Sequence, residues 1–235
     1  AALWQSVVKL DPRQLFRNPV MFVVELGAVT VTVADAQNVV VRTLVGGAGI
    51  VGREFLKILD ERQIPVGRLR LLATKRSAGK QVVFRDQIVT VEETSETSFG
   101  PDDNIVFLSA SGSASKQYAP IAAQNGSFVL DDSSAYRMDP DVPLVIPEIN
   151  PEALDKHQGF IANPNCSTVI TLMGIAPLHK KAHIEHMTAV TFQSVSGTGR
   201  AAIIELEQQL RAYATGAEME ISAYPHQIAL NVLPQ

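Results

Sequence analysis

Residues 39–62 read VVVRTLVGGAGIVGREFLKILDER, and this stretch decides the fold. A β-branched run ends in glycines. A helical spacing follows at once, with Phe55, Leu56, Ile58 and Leu59 on one face. Gly46, Gly49 and Gly52 therefore fall as G-x-x-G-x-x-G between a strand and a helix. Glycines there permit a tight turn and let backbone amides approach a pyrophosphate, and the helix N-terminus adds about half a positive charge. Glycine turns of this kind are common, so the motif takes its weight from its context. Arg42 is out of place, because a central parallel strand should be apolar.

Downstream the alternation continues. LRLLAT (69–74) reads as a second strand, and QVVFRDQIVTVEE (81–93) as a hairpin or two short strands. NIVFLSA (104–110) is another strand, SKQYAPIAAQNG (115–126) a helix stopped by Gly126, and SFVLDDSS (127–134) the next strand. Strand alternating with helix implies a doubly wound, Rossmann-like α/β fold with a parallel sheet. After Cys166 the pattern shifts. STVITLMGIAPLHKKA (167–182) reads as a helix and HMTAVTFQSVSG (186–197) as a long strand. RAAIIELEQQLRAYA (200–214) is an amphipathic helix with Ile203, Ile204, Leu206 and Leu210 on its apolar side. Three parts are expected: an apolar leader over 1–37, a dinucleotide-binding domain over 38–165, and an incomplete α+β domain over 166–235.

Composition narrows the function. Hydrophobic residues make up 46% of the 235 and charged residues 19%, an ordinary globular balance. The net charge of −4 and the absence of a basic stripe argue against nucleic acid as a partner. A single cysteine excludes a disulfide scaffold and fits a reducing compartment, hence a cytoplasmic protein. No Cys/His spacing suggests zinc, and His179, His183 and His186 read as solvated residues at a helix end.

The end of the second strand selects the cofactor. NAD-binding folds usually carry an acid there for the ribose hydroxyls. Here the chain reads ATKRSAGK (73–80), with Lys75, Arg76, Ser77 and Lys80 where that acid would stand. A 2′-phosphate is an anion that arginine can grip with two parallel hydrogen bonds, so NADP is favoured over NAD. The bland alternative is a solvated basic loop.

Cys166 follows the turn Asn163-Pro164-Asn165 and precedes an apolar helix. It is either inert filler or a nucleophile placed at a helix N-terminus, where the dipole favours the thiolate. Residues 19–34, PVMFVVELGAVTVTVA, are apolar but short of the roughly 20 residues of a spanning helix. They also lack the flanks of a signal peptide. The run KLDPRQLFRNPVMFVVELGAVTVT (9–32) resembles the N-terminal segment of the B subunit of potassium-transporting P-type ATPases. With no D-K-T-G-T motif in the chain it imports no pump activity, and it reads as a foreign or fused leader that leaves membrane association open.

Six strings point elsewhere: GREFLKILDER (52–62), LRLLATKRSAGK (69–80), SASGSASKQYAPIA (109–122), DDSSAYRMDPDVPLVIPEINPEAL (131–154), IANPNCST (161–168) and FQSVSGTGRAAIIELEQQ (192–209). Together, over about residues 38–235, they resemble the aspartate-semialdehyde dehydrogenase family. The resemblance implies an NADP-dependent, phosphorylating oxidoreductase acting between aspartyl phosphate and aspartate semialdehyde. It places the enzyme in lysine, threonine and methionine biosynthesis, with homodimers or homotetramers built through the second domain. It implies that Cys166 carries the acyl group, Gln193 orients the substrate, Asn165 adjoins the nucleophile and Arg137 binds the phosphoryl group. For the cofactor it implies Gly46, Gly49, Ile50, Val51, Gly52, Thr74, Arg76, Ser77, Ser109, Ser196 and Gly197.

Three departures qualify the resemblance. Ala48 stands where the family has threonine, so a hydrogen bond near the phosphates is lost. Asp131-Asp132-Ser133-Ser134 replaces D-N-S-S, setting a carboxylate close to the cofactor's phosphates. The family's later half, with the catalytic His after an RVPV strand and the substrate-binding Glu, Lys and Arg, lies outside these 235 residues, and His226 precedes that region. A general base typically contributes about 10²–10⁴-fold. A nucleotide-binding, dimer-forming module without turnover is therefore the alternative to the enzyme, and a membrane-associated fusion product is the third reading.

Overall fold

The computed structural model describes residues 41–64, 66–100, 103 and 105–234. The leader, with its pump-like run, lies outside them. The described residues divide into two compact units, with the boundary between residues 187 and 188.

The first unit holds a seven-stranded sheet in the order β3-β4-β2-β1-β5-β6-β7. Its strands are β1 (Val41–Val45), β2 (Val66–Ala73), β3 (Gln81–Phe84), β4 (Gln87–Glu93), β5 (Ile105–Leu108), β6 (Phe128–Asp131) and β7 (Phe160–Ala162). All pairings are parallel except the β3–β4 hairpin. Helices α1 (Ile50–Glu61), α2 (Gly112–Gln124) and α3 (Cys166–Ala182) complete the unit. The doubly wound expectation holds, and its reason is visible in the alternation along each strand. Leu44, Leu71, Phe107 and Leu130 face one apolar cluster with Phe55, Ile58 and Leu59 of α1. Their neighbours Val45, Leu72, Val106, Leu108 and Val129 face another with Ala119 and Ala122 of α2. Successive side chains of a strand point to opposite faces, so continuous apolar runs require cover on both. Phe55 stacks on Phe107 at 4.2 Å, pinning α1 to the sheet.

Arg42 does not interrupt β1. The strand passes through it with a register shift between Val41 and Thr43 in both of its ladders. Against β5 the surplus residue lies on β1, as in a bulge, whereas against β2 the surplus lies on β2. Beneath this strand lies a polar staple the sequence did not announce. Thr43 and Arg70 are register partners, and both bond Asp103, whose side chain is buried. Arg70 also pairs with Glu92 at 2.8 Å.

The expected strand over 186–197 is absent: the described residues there form an irregular segment and a 3-10 turn, Val195–Thr198. A strand needs a hydrogen-bonded neighbour, and the described residues of 188–235 supply none. Helix α4 (Arg200–Thr215) forms as expected and ends at Gly216 in the left-handed region. Its buried face is not the anticipated one. Ala202, Glu205 and Gln209 are buried, whereas Ile204 and Leu210 are each 41% exposed. The cause is the returning loop. Gln209 donates to Glu220 O and accepts from the amides of Ile228 and Ala229, while Glu205 accepts from Ser222 Oγ and the Ala223 amide. Two polar side chains thus satisfy backbone groups that an apolar face could not. Burial works to raise the Glu205 pKa, and these hydrogen bonds outweigh it, leaving the carboxyl below its ordinary value.

Among the described residues no helix is long and apolar enough to cross a membrane. His179, His183 and His186 are exposed, and the first two rings meet edge to face at 5.2 Å.

Candidate active site at the strand tips

The register aligns the C-terminal ends of five parallel strands. Leu72, Val45, Leu108, Asp131 and Ala162 lie abreast across β2, β1, β5, β6 and β7. The next residues continue the ladder: Gly46 N donates to Leu72 O, Ser109 N to Val45 O, Asp132 N to Leu108 O and Asn163 N to Asp131 O, all within 2.8–3.0 Å. Gly46, Ser109, Asp132 and Asn163 therefore form one row at the sheet's upper edge. The row crosses the point between β1 and β5 where strand order reverses, which is where open α/β sheets bind ligands.

At the first tip, Gly46 has φ +86°, and a Cβ on it would lie 2.1 Å from Ser109 O. A Cβ on Gly52 would lie 2.4 Å from Gly46 O and 2.6 Å from the Cα of Gly47. Both glycines are demanded by backbone packing. Gly49 is the N-cap of α1 and provides no side-chain cap, so the amides opening the helix at Ile50, Val51 and Gly52 are not covered by one. The other helices of the unit are capped, α2 by Ser111 and α3 by Asn165. A bare, glycine-lined helix N-terminus at a strand tip fits the pyrophosphate of a dinucleotide. Loss of the threonine hydroxyl at Ala48 leaves this backbone cradle in place.

At the tip of β2 the turn is tied by Ser77 N to Thr74 O at 2.8 Å. Thr74, Lys75, Arg76 and Lys80 are exposed and Ser77 half-buried. The Lys80 ammonium reaches Ser77 Oγ at 3.5 Å, and among the described residues no carboxylate pairs with Arg76.

At the other end of the row, Asn163 leads through buried Pro164 to Asn165. Asn165 Oδ1 accepts from Ser167 N at 3.0 Å, and Cys166, half-buried, opens α3 with its Sγ 3.9 Å from the same oxygen. Helix α3 is anchored through Val169 against Ile146 and Ile149. Arg137 does not reach outward alone. Its Nε donates to Asn163 O and its Nη2 to Asp132 O, both at 2.9 Å.

Asp132, singled out in the sequence for its carboxylate near the cofactor's expected place, has protein partners that the sequence does not announce. Its carboxyl is turned into the protein, with Oδ1 accepting from Asn163 Nδ2 at 2.8 Å and Oδ2 from Ser109 Oγ at 3.3 Å. Burial pushes its pKa up to about 6, against the opposing pull of Asn163, Arg137 and Ser109. Gln193, Ser196 and Gly197 belong to the second unit, where Gly197 N bonds Ser194 O and Ser196 Oγ meets Ser194 Oγ. A groove of about 400 Å³ between α1 and β3, lined by Arg53, Lys57, Val83 and Phe84, touches none of the row. Two of its charged side chains, Asp60 and Arg85, pair with each other at 3.3 Å, and neither the glycine turn nor Cys166 lines it, so the strand tips are the better site.

Known proteins agree with this geometry. Residues 43–157 match the NAD binding domain of semialdehyde dehydrogenases, and residues 175–235 match their dimerisation domain. The aspartate-semialdehyde dehydrogenase of Aquifex aeolicus is 46% identical over 194 residues, covering 81% of this chain and 57% of that protein. That of Shewanella violacea is 44% identical over 200 residues, covering 84% and 58%. A crystal structure of aspartate semialdehyde dehydrogenase II from Vibrio cholerae complexed with ASA superposes with a TM-score of 0.77 at 40% identity, over 82% of this chain and 58% of that one. The chain thus spans a little over half the length of these relatives. Matched in both domains, and with the glycine turn and the cysteine turn at the same edge of one sheet, the chain belongs to the aspartate-semialdehyde dehydrogenase family.

Proposed function

We propose that this chain is the nucleotide-binding and acyl-carrying part of an NADP-dependent aspartate-semialdehyde dehydrogenase, working in the cytoplasm as a homodimer or homotetramer. One observation carries the reading: the glycine cradle and the Cys166 turn share one hydrogen-bonded row of strand tips. The dimerisation-domain match supports self-assembly, and a single cysteine suits a reducing compartment.

The residues present fit the dinucleotide. Gly46, Gly49 and Gly52 clear the space for it, and Ile50, Val51 and Gly52 offer it amides. Thr74, Arg76 and Ser77 stand where a 2′-phosphate would lie, and Ser109, Ser196 and Gly197 are assigned to the nicotinamide end. When bound, NADP supplies the hydride acceptor. Cys166 attacks the aldehyde carbon through its thiolate, forming a C–S bond as the C=O π pair moves onto oxygen, and that pair restores C=O when hydride leaves the carbon. Loss of hydride from that carbon leaves a thioester on Sγ. A phosphate oxygen then attacks the acyl carbon, the C–S bond breaks and the electron pair returns to sulfur, giving aspartyl phosphate. Asn165 caps α3 through Ser167 N and so fixes the backbone that presents Cys166. Gln193 orients the acyl group, and Arg137 takes the phosphate with the donors not spent on Asp132 and Asn163.

The test is intact-mass spectrometry of the chain after incubation with aspartate semialdehyde and NADP, without phosphate. A hydroxylamine-labile acyl adduct on Cys166 is expected, with NADPH formed in equal amount and neither product in Cys166→Ala. NADP binding without any adduct would reduce the chain to a nucleotide-binding module and overturn the reading.

A further inference from the structure

We propose that Asp132 is a positioning residue whose carboxylate, shared between Ser109 and Asn163, holds the turn that presents Cys166 in line with the tip of β5. This rests on the reading of Cys166 as the nucleophile. Asn163 is gripped at three points: its amide by Asp131 O, its carbonyl by Arg137 Nε and its side chain by Asp132 Oδ1. Arg137 closes the clasp by also bonding Asp132 O. Only two residues separate Asn163 from Cys166. One is a buried proline and the other the α3 cap, so little slack lies between clasp and thiol. The second oxygen of Asp132 receives Ser109, whose own carbonyl packs on Gly46. One carboxylate therefore touches both the nucleotide half and the nucleophile half of the row.

The clasp depends on protonation. An ionised carboxylate accepts from both sides at once, and a protonated one must turn an O–H toward one of its two donors. Two charged groups face Asp132: Arg137, which favours the ionised form, and Asp131, which opposes it. Asp131 is occupied by Ser115 and Ser133. Asn163 and Ser109 supply the neutral donors, and burial brings the transition to about pH 6. Above that pH the turn is held, and below it the turn loosens.

Cys166 is the sole cysteine, so its reaction with 4,4′-dithiodipyridine reports on this turn alone. Asp132→Asn reproduces the protonated clasp, accepting from Asn163 and donating to Ser109 Oγ, and removes the titration. The ratio of wild-type to Asp132→Asn rate constants cancels the thiol's own ionisation. It is expected to lie near one at pH 5, where both side chains are neutral, and to rise about threefold by pH 8, with its midpoint near pH 6. Asp132→Ala, which leaves both donors bare, is expected to react about fivefold more slowly at pH 8. A ratio constant from pH 5 to 8 overturns the proposal, and it remains decisive should Asp132→Ala fail to fold. A stepped ratio without a thioester on Cys166 would sustain the clasp and sink the enzymatic reading instead.

Discussion

The Cα of Gly46 rests against the carbonyl oxygen of Ser109, so close that a Cβ would lie 2.1 Å from that oxygen. Gly46→Ala must therefore move backbone against backbone, and it must also hold a left-handed φ. Gly79 offers the control: its φ is +80°, but a Cβ there meets nothing within 4 Å. Gly79→Ala is expected to lose about 1–2 kcal/mol from conformation alone. Gly46→Ala is expected to lose more than about 4 kcal/mol, the range reserved for core disruption. Urea midpoints of the two variants check the difference.

Arg76 is an exposed cation at the tip of β2 without a carboxylate partner among the described residues. If it receives the 2′-phosphate, Arg76→Ala removes charge-assisted hydrogen bonds worth about 1.5–3 kcal/mol. The expected result is a Kd for NADPH raised about 10–100-fold, with NADH binding unchanged. Equal losses for both dinucleotides would assign the loop to solvent.

Asp132 makes stability depend on pH with a definite sign. Its folded pKa, about 6, lies above the unfolded value of 3.8. Between these values the folded state keeps a proton that the unfolded state releases, so stability falls as pH rises from about 4 to 6. By pH 7.5 the loss is on the order of 2–3 kcal/mol. Asp132→Asn has no such term. Its advantage over wild type in urea denaturation is expected to be larger at pH 7.5 than at pH 4 by that amount.

In the second unit, Glu205 holds the returning loop through the Ala223 amide and the Ser222 hydroxyl. Glu205→Ala strands these donors and is expected to cost about 1–3 kcal/mol. Limited proteolysis should then cut faster over residues 217–229. The wild-type carboxyl, with its lowered pKa, contributes stability that is present above its unfolded value and lost as pH falls through the folded one.

The parts of the molecule legible in the sequence are those governed by short-range pattern. The apolar runs of β1, β2, β5 and β6 and the spacing of Phe55, Leu56, Ile58 and Leu59 gave the doubly wound sheet, because burial on both faces leaves few other solutions. Gly46 and Gly52 were legible because only glycine fits where they stand. Residues 186–197 show the limit. Their β-branched texture is real, but a strand is a property of pairs, and among the described residues no second strand is laid beside them. Helix α4 fails differently: apolar periodicity predicted its buried side, while two polar side chains, Glu205 and Gln209, won that side by serving main-chain groups of a distant loop. The same blindness hid the inward turn of Asp132, since a carboxylate in a sequence carries no sign of the donors waiting for it.

The aligned strand tips also act as a ruler. Neighbouring strands are about 4.8 Å apart, so four steps from the β2 tip to the β7 tip make roughly 19 Å. This length separates the basic turn at Arg76 from the asparagine turn that ends at Cys166, and no side chain can adjust it. Any dinucleotide that engages both turns must be drawn out to that measure. A loop insertion between the strands would leave the gauge intact, whereas removal of β1 or β5 would shorten it by one notch and bring the two turns closer by a full strand width.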